Sequence, residues 1–254
     1  MLPIERRKWI EQELIVNKKI DIEEVSKKLN VSAMTIRRDL KELESNGKAI
    51  RTHGGAISVD SITEEVPYSS KKVKNNAEKR AVANKALSLI GENSTIILDS
   101  GTTTFELAKL LRDRSDLTVV TNDIKIANEL LESPNKVIVT GGELQQGVGA
   151  LYGSGTQKML SIIHADLFFL GAHAIDLERG VTAPTFEKSL IKQLMLNAAE
   201  KTWILADYSK FNRKAFSNVC DLSEVEGIIT NANVDSSIVE EYDNRTQILL
   251  GGGD

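Results

Sequence analysis

The chain has 254 residues, 41% hydrophobic and 27% charged with a net charge of −4, which allows two modest domains or one large one with a sizeable core. A single cysteine, Cys220, excludes an intramolecular disulfide framework and a CxxC metal site. No apolar run approaches the roughly 20 residues that span a bilayer, and the start, Met1-Leu2-Pro3-Ile4-Glu5-Arg6-Arg7-Lys8, lacks the features of a signal peptide, so a cytoplasmic chain with no membrane partner is expected.

The charge is unevenly spread. Residues 1–58 hold 12 Lys and Arg against 9 Asp and Glu, and the rest of the chain holds 20 against 27. A basic segment on an acidic body is a mild sign of a nucleic-acid module, although an excess this small also arises by chance. Residues 4–16 predict a first helix with an apolar series at Trp9, Ile10, Leu14 and Ile15. Ile22, Val25 and Leu29, at spacings of three and four, predict a second, and Ser32 caps a third whose inner face is Ile36, Leu40 and Leu43. Asn30 suits a left-handed turn between the second and third helices, and Gly47 suits the end of the third. Residues 48–58 read as a short hairpin around His53-Gly54-Gly55. The polar stretch 59–75, with Pro67 and no clear period, reads as a linker.

If Ile36 and Leu40 face inward, the third helix turns Ala33, Thr35, Arg37, Arg38 and Lys41 to other faces. Short residues at a helix N-terminus, here Ser32, Ala33 and Thr35, permit close entry into a major groove, and arginine pairs bidentately with guanine. Arg37 is assigned to base edges and Arg38 to phosphate; solvated surface charge is the alternative for both. Asp39 would repel phosphate and is expected to orient a neighbouring arginine. Arg51, Thr52 and His53 at the hairpin tip are placed to reach backbone or minor groove, as a wing does.

From residue 76 the pattern changes. A helix over 77–90 precedes the apolar run Thr95-Ile96-Ile97-Leu98, and short apolar runs at 117–120, 136–139, 166–170, 203–206, 227–230 and 247–250 follow. Helical stretches fill the gaps at 105–111, 125–131, 188–199 and 236–241. Continuous apolar runs separated by helices predict strands buried on both faces, hence a mostly parallel α/β sheet over residues 76–250. After the first strand, Asp99-Ser100-Gly101-Thr102-Thr103-Thr104 places a glycine and hydroxyls at a helix N-terminus, where free N–H groups bind anions; ordinary N-capping is the alternative. Thr121-Asn122, Gly141-Gly142, Gly171-Ala172-His173 and Asp207-Tyr208-Ser209-Lys210 follow later strands in the same way, and such loops converge on the ligand crevice of open α/β sheets. Lys210 is a candidate phosphate partner or a solvated lysine. Glu187, opening a helix, is a candidate for sugar hydroxyls or a helix-dipole partner.

The pattern Val31-Ser32-x-x-Thr35-Ile36-Arg37-Arg38-Asp39-Leu40, then Leu43-Glu44-x-x-Gly47, then Arg51-Thr52-His53-Gly54-Gly55-Ala56, resembles the DNA-binding domain of DeoR-family bacterial regulators over most of residues 4–58. Asp99-x-Gly101-Thr102-Thr103, Thr121-Asn122, Gly141-Gly142, the 166–176 segment, Gly180-x-Thr182 and Ala206-Asp207-x-Ser209-Lys210-Phe211 resemble that family's sensor domain. The resemblance implies a winged helix-turn-helix, residues 1–58, joined to a sensor related to ribose-phosphate isomerases. It implies double-stranded operator DNA and a phosphorylated sugar as partners, ligand-modulated repression of a carbohydrate-metabolism operon, and a homodimer or homotetramer. His173 stands where a small residue is expected, and either lines the pocket or is a structurally satisfied side chain. The competing class is a sugar-phosphate isomerase or deaminase, with Asp99, Glu187 and Lys210 as acid–base candidates. An enzyme has no use for residues 1–58, and no carboxylate cluster is legible as a catalytic base, so no catalytic residue, metal or cofactor is expected. A constitutive DNA-binding protein with a vestigial sensor is a third reading, opposed by the intact Gly-Thr-Thr loop.

Overall fold

The computed structural model describes residues 1–46, 48–52, 54–58 and 68–252. The expectations placed on Gly47, on His53 and on residues 59–67 of the linker therefore lie outside the described residues. The chain divides into two compact units, residues 1–71 and 72–254.

In the first unit, α1 (Pro3–Asn17) starts at a proline that needs no N–H partner and buries Arg6, Ile10 and Leu14, one residue per turn along a single stripe. Ile15, next to Leu14, falls off that stripe and is 54% exposed. Lys18 ends the helix in a left-handed conformation and leads into β1 (Lys19–Asp21), a strand too short to show any alternation in the sequence. Asp21 caps α2 (Ile22–Leu29) by accepting from the N–H groups of Glu23 and Glu24 at 2.8 and 3.1 Å. Asn30 makes the left-handed turn (φ 52°), and Ser32 caps α3 (Ala33–Ser45) through the N–H of Thr35 at 3.2 Å. The hairpin β2 (Ile50–Arg51) and β3 (Gly55–Ile57) follows, and β1 pairs with β3 to make a three-stranded antiparallel sheet. Gly55 permits that pairing, because a Cβ there would lie 1.8 Å from the carbonyl oxygen of Ile20. The core is Ile10, Leu14, Ile20, Ile22, Val25, Ile36, Leu40, Leu43, Ala49 and Ala56. Helix α4 (Tyr68–Val73) donates a hydrogen bond from Ser70 Oγ to the carbonyl of Arg51 at 3.0 Å.

The second unit is built on seven parallel strands: β4 (Thr95–Leu98), β5 (Thr118–Thr121), β6 (Lys136–Val139), β9 (Ala165–Gly171), β12 (Ala199–Leu205), β14 (Gly227–Asn231) and β15 (Gln247–Gly251). Their spatial order is β15-β14-β12-β9-β4-β5-β6. Successive residues serve opposite faces. Ile96, Leu98, Leu167, Phe169, Trp203 and Leu205 join the core under α5 (Asn76–Leu87), α6 (Thr102–Leu110) and α7 (Ile124–Glu129). Ile97, Phe168, Leu170 and Ile204 join the core under α8 (Ser154–Leu160), α9 (Phe186–Asn197) and α10 (Ser236–Asp243). Both faces of the inner strands are dry, which is why those strands read as unbroken apolar runs, while the edge strands β6 and β15 are only partly buried.

Two pieces of the unit leave no period in the sequence. One is a small antiparallel sheet of β10 (Ala174–Asp176), β11 (Gly180–Ala183) and β13 (Ser217–Cys220). The other is a hairpin of β7 (Glu143–Leu144) and β8 (Leu151–Tyr152). Strand order sets the functional geography. The chain runs from β4 through β5 to β6 at one edge, then resumes at β9 on the other side of β4 and moves to the opposite edge. The carboxyl ends of β4 and β9 therefore flank the topological switch point, where open α/β sheets form a crevice.

Candidate functional site

The exposed face of α3 is opposite its core stripe. Met34, Arg37, Arg38 and Lys41 are exposed, as is the cap Ser32, while Ala33 and Thr35 are half-buried. Thr35 Oγ1 lies 2.9 Å from Ser32 Oγ, so the two hydroxyls form a pair at the helix start. Asp39 points the other way and is 3% exposed. Its carboxylate accepts from Arg6 Nε at 2.5 Å and Nη2 at 3.2 Å, and Arg7 stands 3.7 Å away. The arginines that Asp39 orients are thus on α1, not its neighbours on α3, because residue 39 lies on the same side of the helix as Ile36 and Leu40. Arg7 also pairs with Glu42 at 3.0 Å. Arg51, half-buried on β2, is leashed to Glu44 through its N–H at 3.1 Å and its guanidinium at 3.7 Å. Thr52 closes the hairpin turn by donating its N–H to the carbonyl of Gly55 at 3.0 Å. Arg37, Arg38 and Lys41 form no ion pair among the described residues, so their charge is available to a partner. Met34, 58% exposed in the first turn of α3, was not singled out from the sequence; an apolar side chain there suits contact with a thymine methyl group.

At the switch point, Asp99 leaves the end of β4 with its side chain 2% exposed. It pairs with the equally buried ammonium of Lys192 and accepts the N–H of Gly171 at 3.0 Å, and Lys192 also donates to the carbonyl of Gly171 at 2.8 Å. One ion pair therefore ties the ends of β4 and β9 to α9. Lys192 was not anticipated. Its signal is a lysine on the buried face of a helix, three residues before Met195 and beside Ile191.

The hydroxyls of the next loop are largely used inside the protein. Ser100 Oγ donates to Asp123 at 2.7 Å, and Thr104 Oγ1 donates to the carbonyls of Asp99 and Gly101 at 2.7 and 3.0 Å. Thr121 Oγ1 donates to the carbonyl of Leu98 at 2.8 Å and accepts the N–H of Asp123 at 3.1 Å. Asn122 accepts the N–H of Ser100 at 3.1 Å and donates to the carbonyl of Leu151 at 3.1 Å. These side chains build the cradle. Burial raises the Asp123 carboxyl above its ordinary pKa, against the hydrogen bond from Ser100. Gly101 is the N-cap of α6 without a capping side chain, so the first N–H groups of that helix have no intrahelical carbonyl to donate to.

A cleft of about 180 Å³ opens beside this cradle. It is lined by Asp99, Ser100 and Asn122, by Gln145, Ala150, Leu151 and Tyr152 of the β7–β8 hairpin, and by Thr185, Glu187, Lys188 and Ile191 at the start of α9. Of the sequence-selected residues it gathers Asp99, Ser100, Asn122 and Glu187. Gly101, Thr102, Thr103 and Thr104 continue from Ser100 but do not line it, and neither do Thr121, Gly141, Gly142, His173 or Lys210. His173 is half-buried in the turn between β9 and β10. Lys210 belongs to another charged group, with Asp207 and Lys79. Asp207, 1% exposed, accepts from Asn75 Nδ2 at 2.8 Å and from Ser209 N–H at 3.0 Å. Burial pushes the Asp207 carboxyl up, but Lys210, Ser209 and Asn75 outweigh it and the net pKa is lowered. Burial holds the Lys79 ammonium down at about 8, with Asp207 acting against that shift and Lys210 with it.

Among the described residues no helix is long and apolar enough to cross a membrane, and no group of three His, Cys, Asp or Glu side chains is placed to hold a metal ion. Residues 6–62 match the DeoR-like helix-turn-helix domain and residues 74–232 match the DeoR C terminal sensor domain. The HTH-type transcriptional regulator GlpR of Haloferax volcanii is 36% identical over 99% of both chains. The HTH-type transcriptional regulator GolR of Listeria innocua is 33% identical over 95% of this chain and 96% of its own. The transcriptional repressor AccR of Agrobacterium fabrum is 34% identical over 80% and 79%. Among solved structures, a ribose 5-phosphate isomerase from Methanocaldococcus jannaschii aligns over 54% of this chain and 55% of its own, with 15% identity and a TM-score of 0.41. These relatives are named as regulators rather than enzymes, and with both family domains matched in order the chain belongs to the DeoR family of DNA-binding transcriptional regulators.

Proposed function

We propose that this chain represses a carbohydrate-metabolism operon, and that a phosphorylated sugar bound by residues 76–250 changes its affinity for double-stranded operator DNA. Residues 1–58 are the reader in this scheme, 59–75 the linker, and 76–250 the effector-sensing and oligomerisation domain. The observation that carries the reading is the cleft at the switch point, which meets the uncapped start of α6 through Ser100 and carries polar side chains on its other walls. Backbone N–H groups at that start suit a phosphate, and Glu187 suits the hydroxyls of a carbon chain.

In the reader, Arg37 takes a guanine edge, and Arg38, Lys41 and the hydroxyls of Ser32 and Thr35 take phosphates. Arg51 and Thr52 serve as the wing. A reader this small needs multiplying, so a homodimer or homotetramer presents paired readers to repeated half-sites. The ligand acts by binding two arrangements unequally, and swinging a 1:99 population to 99:1 takes about 10⁴-fold preference.

The test is fluorescence anisotropy of a labelled DNA fragment from upstream of the gene, titrated with the full chain in the presence of single sugar phosphates. Specific binding that one compound weakens supports the reading. Specific binding indifferent to every sugar phosphate refutes the ligand half, and no specific binding at low salt refutes the reader half for that fragment.

A further inference from the structure

The switch-point cleft has two kinds of polar wall. Its floor is committed within the protein: Asp99 to Lys192 and Gly171, Ser100 to Asp123, and Asn122 to Ser100 and Leu151. Gln145 and Tyr152 on the β7–β8 hairpin and Glu187 in the first turn of α9 differ. They face the same cleft, and their side chains make no hydrogen bond or ion pair among the described residues.

The hairpin that carries the first two is fastened rather than loose. Gln145 donates its N–H to the carbonyl of Ala150 at 2.7 Å and accepts the N–H of Gly149 at 2.9 Å. Leu151 donates its N–H to the carbonyl of Asn122 at 2.7 Å, Ile124 donates to the carbonyl of Gly149 at 3.0 Å, and the Lys125 ammonium donates to the carbonyl of Val148. At the hairpin base Gly142 has φ 111°, and a Cβ there would lie 2.3 Å from the carbonyl oxygen of Tyr152. Asn122 grips both the hairpin and the loop leading to α6, so the two are held in a fixed relation. Polar groups on such a frame are positioned before a ligand arrives, which lowers the ordering cost of binding.

We infer that Gln145 and Tyr152 are specificity-determining residues that read hydroxyl groups on the ligand's carbon chain, opposite Glu187. The inference rests on the sugar-phosphate reading above. An amide and a phenol each donate and accept, as a hydroxyl does, and a carboxylate accepts from a hydroxyl. Ala150, Leu151 and Ile191 supply apolar surface for the C–H faces between. The volume of about 180 Å³ is below the roughly 300 Å³ at which ordinary ligand pockets begin, which suits a polyol phosphate better than a nucleotide.

The experiment is isothermal titration of the full chain with inorganic phosphate, ribose 5-phosphate, fructose 6-phosphate and glucose 6-phosphate, for wild type, Gln145→Ala and Tyr152→Phe, with thermal midpoints as the folding control. The expected result is that wild type prefers one sugar phosphate to inorganic phosphate. Each variant then loses roughly 3- to 10-fold affinity for that sugar phosphate, the scale of one net hydrogen bond, and keeps its affinity for inorganic phosphate. Variants that keep the wild-type preference, or that lose both probes equally, overturn the inference. A wild type that binds inorganic phosphate and no sugar phosphate more tightly overturns it while leaving the anion site standing. A wild type that binds none of the four overturns the sugar-phosphate reading with it.

Discussion

Replacing Asp39 by asparagine should unfold the reader while sparing the sensor. The Asp39 side chain is 4% exposed and that of Arg6 10%, and the carboxylate takes two hydrogen bonds from that guanidinium at 2.5 and 3.2 Å. Asparagine keeps the shape but removes the charge, leaving a buried guanidinium uncompensated. Breaking such a pair from one side costs about 3–5 kcal/mol. Arg7 loses a partner at 3.7 Å but keeps Glu42 at 3.0 Å and is 24% exposed, so its contribution is at most about 1 kcal/mol. Domains are stable by about 5–15 kcal/mol, and a unit of some 70 residues sits near the lower end, so most of the reader's margin disappears. Trp9 and Trp203 are the chain's two tryptophans, one in each unit, so a Trp203→Phe background makes Trp9 fluorescence in urea a report on the reader alone. Arg6→Met combined with Asp39→Leu should recover most of the loss, since apolar replacement of a buried pair is often neutral. A loss below about 1 kcal/mol in Asp39→Asn, or a double variant as unstable as the two single changes added together, refutes the argument that the pair clamps α3 to α1.

Arg37→Ala should weaken operator binding by about 1–3 kcal/mol and relax preference at one base pair, whereas Arg38→Ala should weaken all sequences alike and lower the salt slope by about one; equal losses on specific and random DNA would move Arg37 to the phosphates. Lys192→Met should destabilise the sensor by about 3–5 kcal/mol at neutral pH by stranding Asp99, measured from Trp203 fluorescence in urea, and a loss below about 1 kcal/mol would remove the pair from the fold's support. The Lys79 ammonium has its pKa lowered from 10.5 to about 8 in the folded chain, so between those values the unfolded chain holds the proton longer and stability rises with pH, by up to about 3 kcal/mol. Lys79→Met should flatten that rise, and identical pH profiles for variant and wild type would contradict the assignment. Lys210 stands outside the cleft, beside Asp207, so Lys210→Ala should leave both the DNA affinity and the ligand response in the anisotropy assay unchanged; a lost response would return Lys210 to the sensing machinery.

The local features were readable because they depend on few residues. Ser32 caps α3 and Asn30 turns left-handed because the side chain and backbone involved lie within three residues of each other. The parallel strands were visible as apolar runs, most clearly the inner five, because both of their faces are buried. Strand β1 and the small sheet of β10, β11 and β13 were not, because strands of three or four residues carry no measurable alternation and are stabilised by pairing with other strands. The cleft was partly legible. Asp99, Ser100 and Asn122 follow strands and were selected for that reason. Gln145 and Tyr152 sit on a hairpin with no period, and Lys192 stands 93 residues from the carboxylate it neutralises.

By itself the sequence determined the main helices, the strands of the parallel sheet, the Ser32 cap, the Asn30 turn and the family, since each is encoded in short-range pattern. Only the tertiary structure decided which loops share a site. Strand order puts β4 beside β9 and so brings Asp99 to Gly171 and Lys192, while Lys210 is placed near Asp207, which attracts it, and near Lys79, which repels it. Every loop at the carboxyl end of a parallel strand looks equally eligible in one dimension. Which of them meet depends on the lateral order of the strands, and that is set by the burial of both sheet faces at once rather than by any residue within a loop.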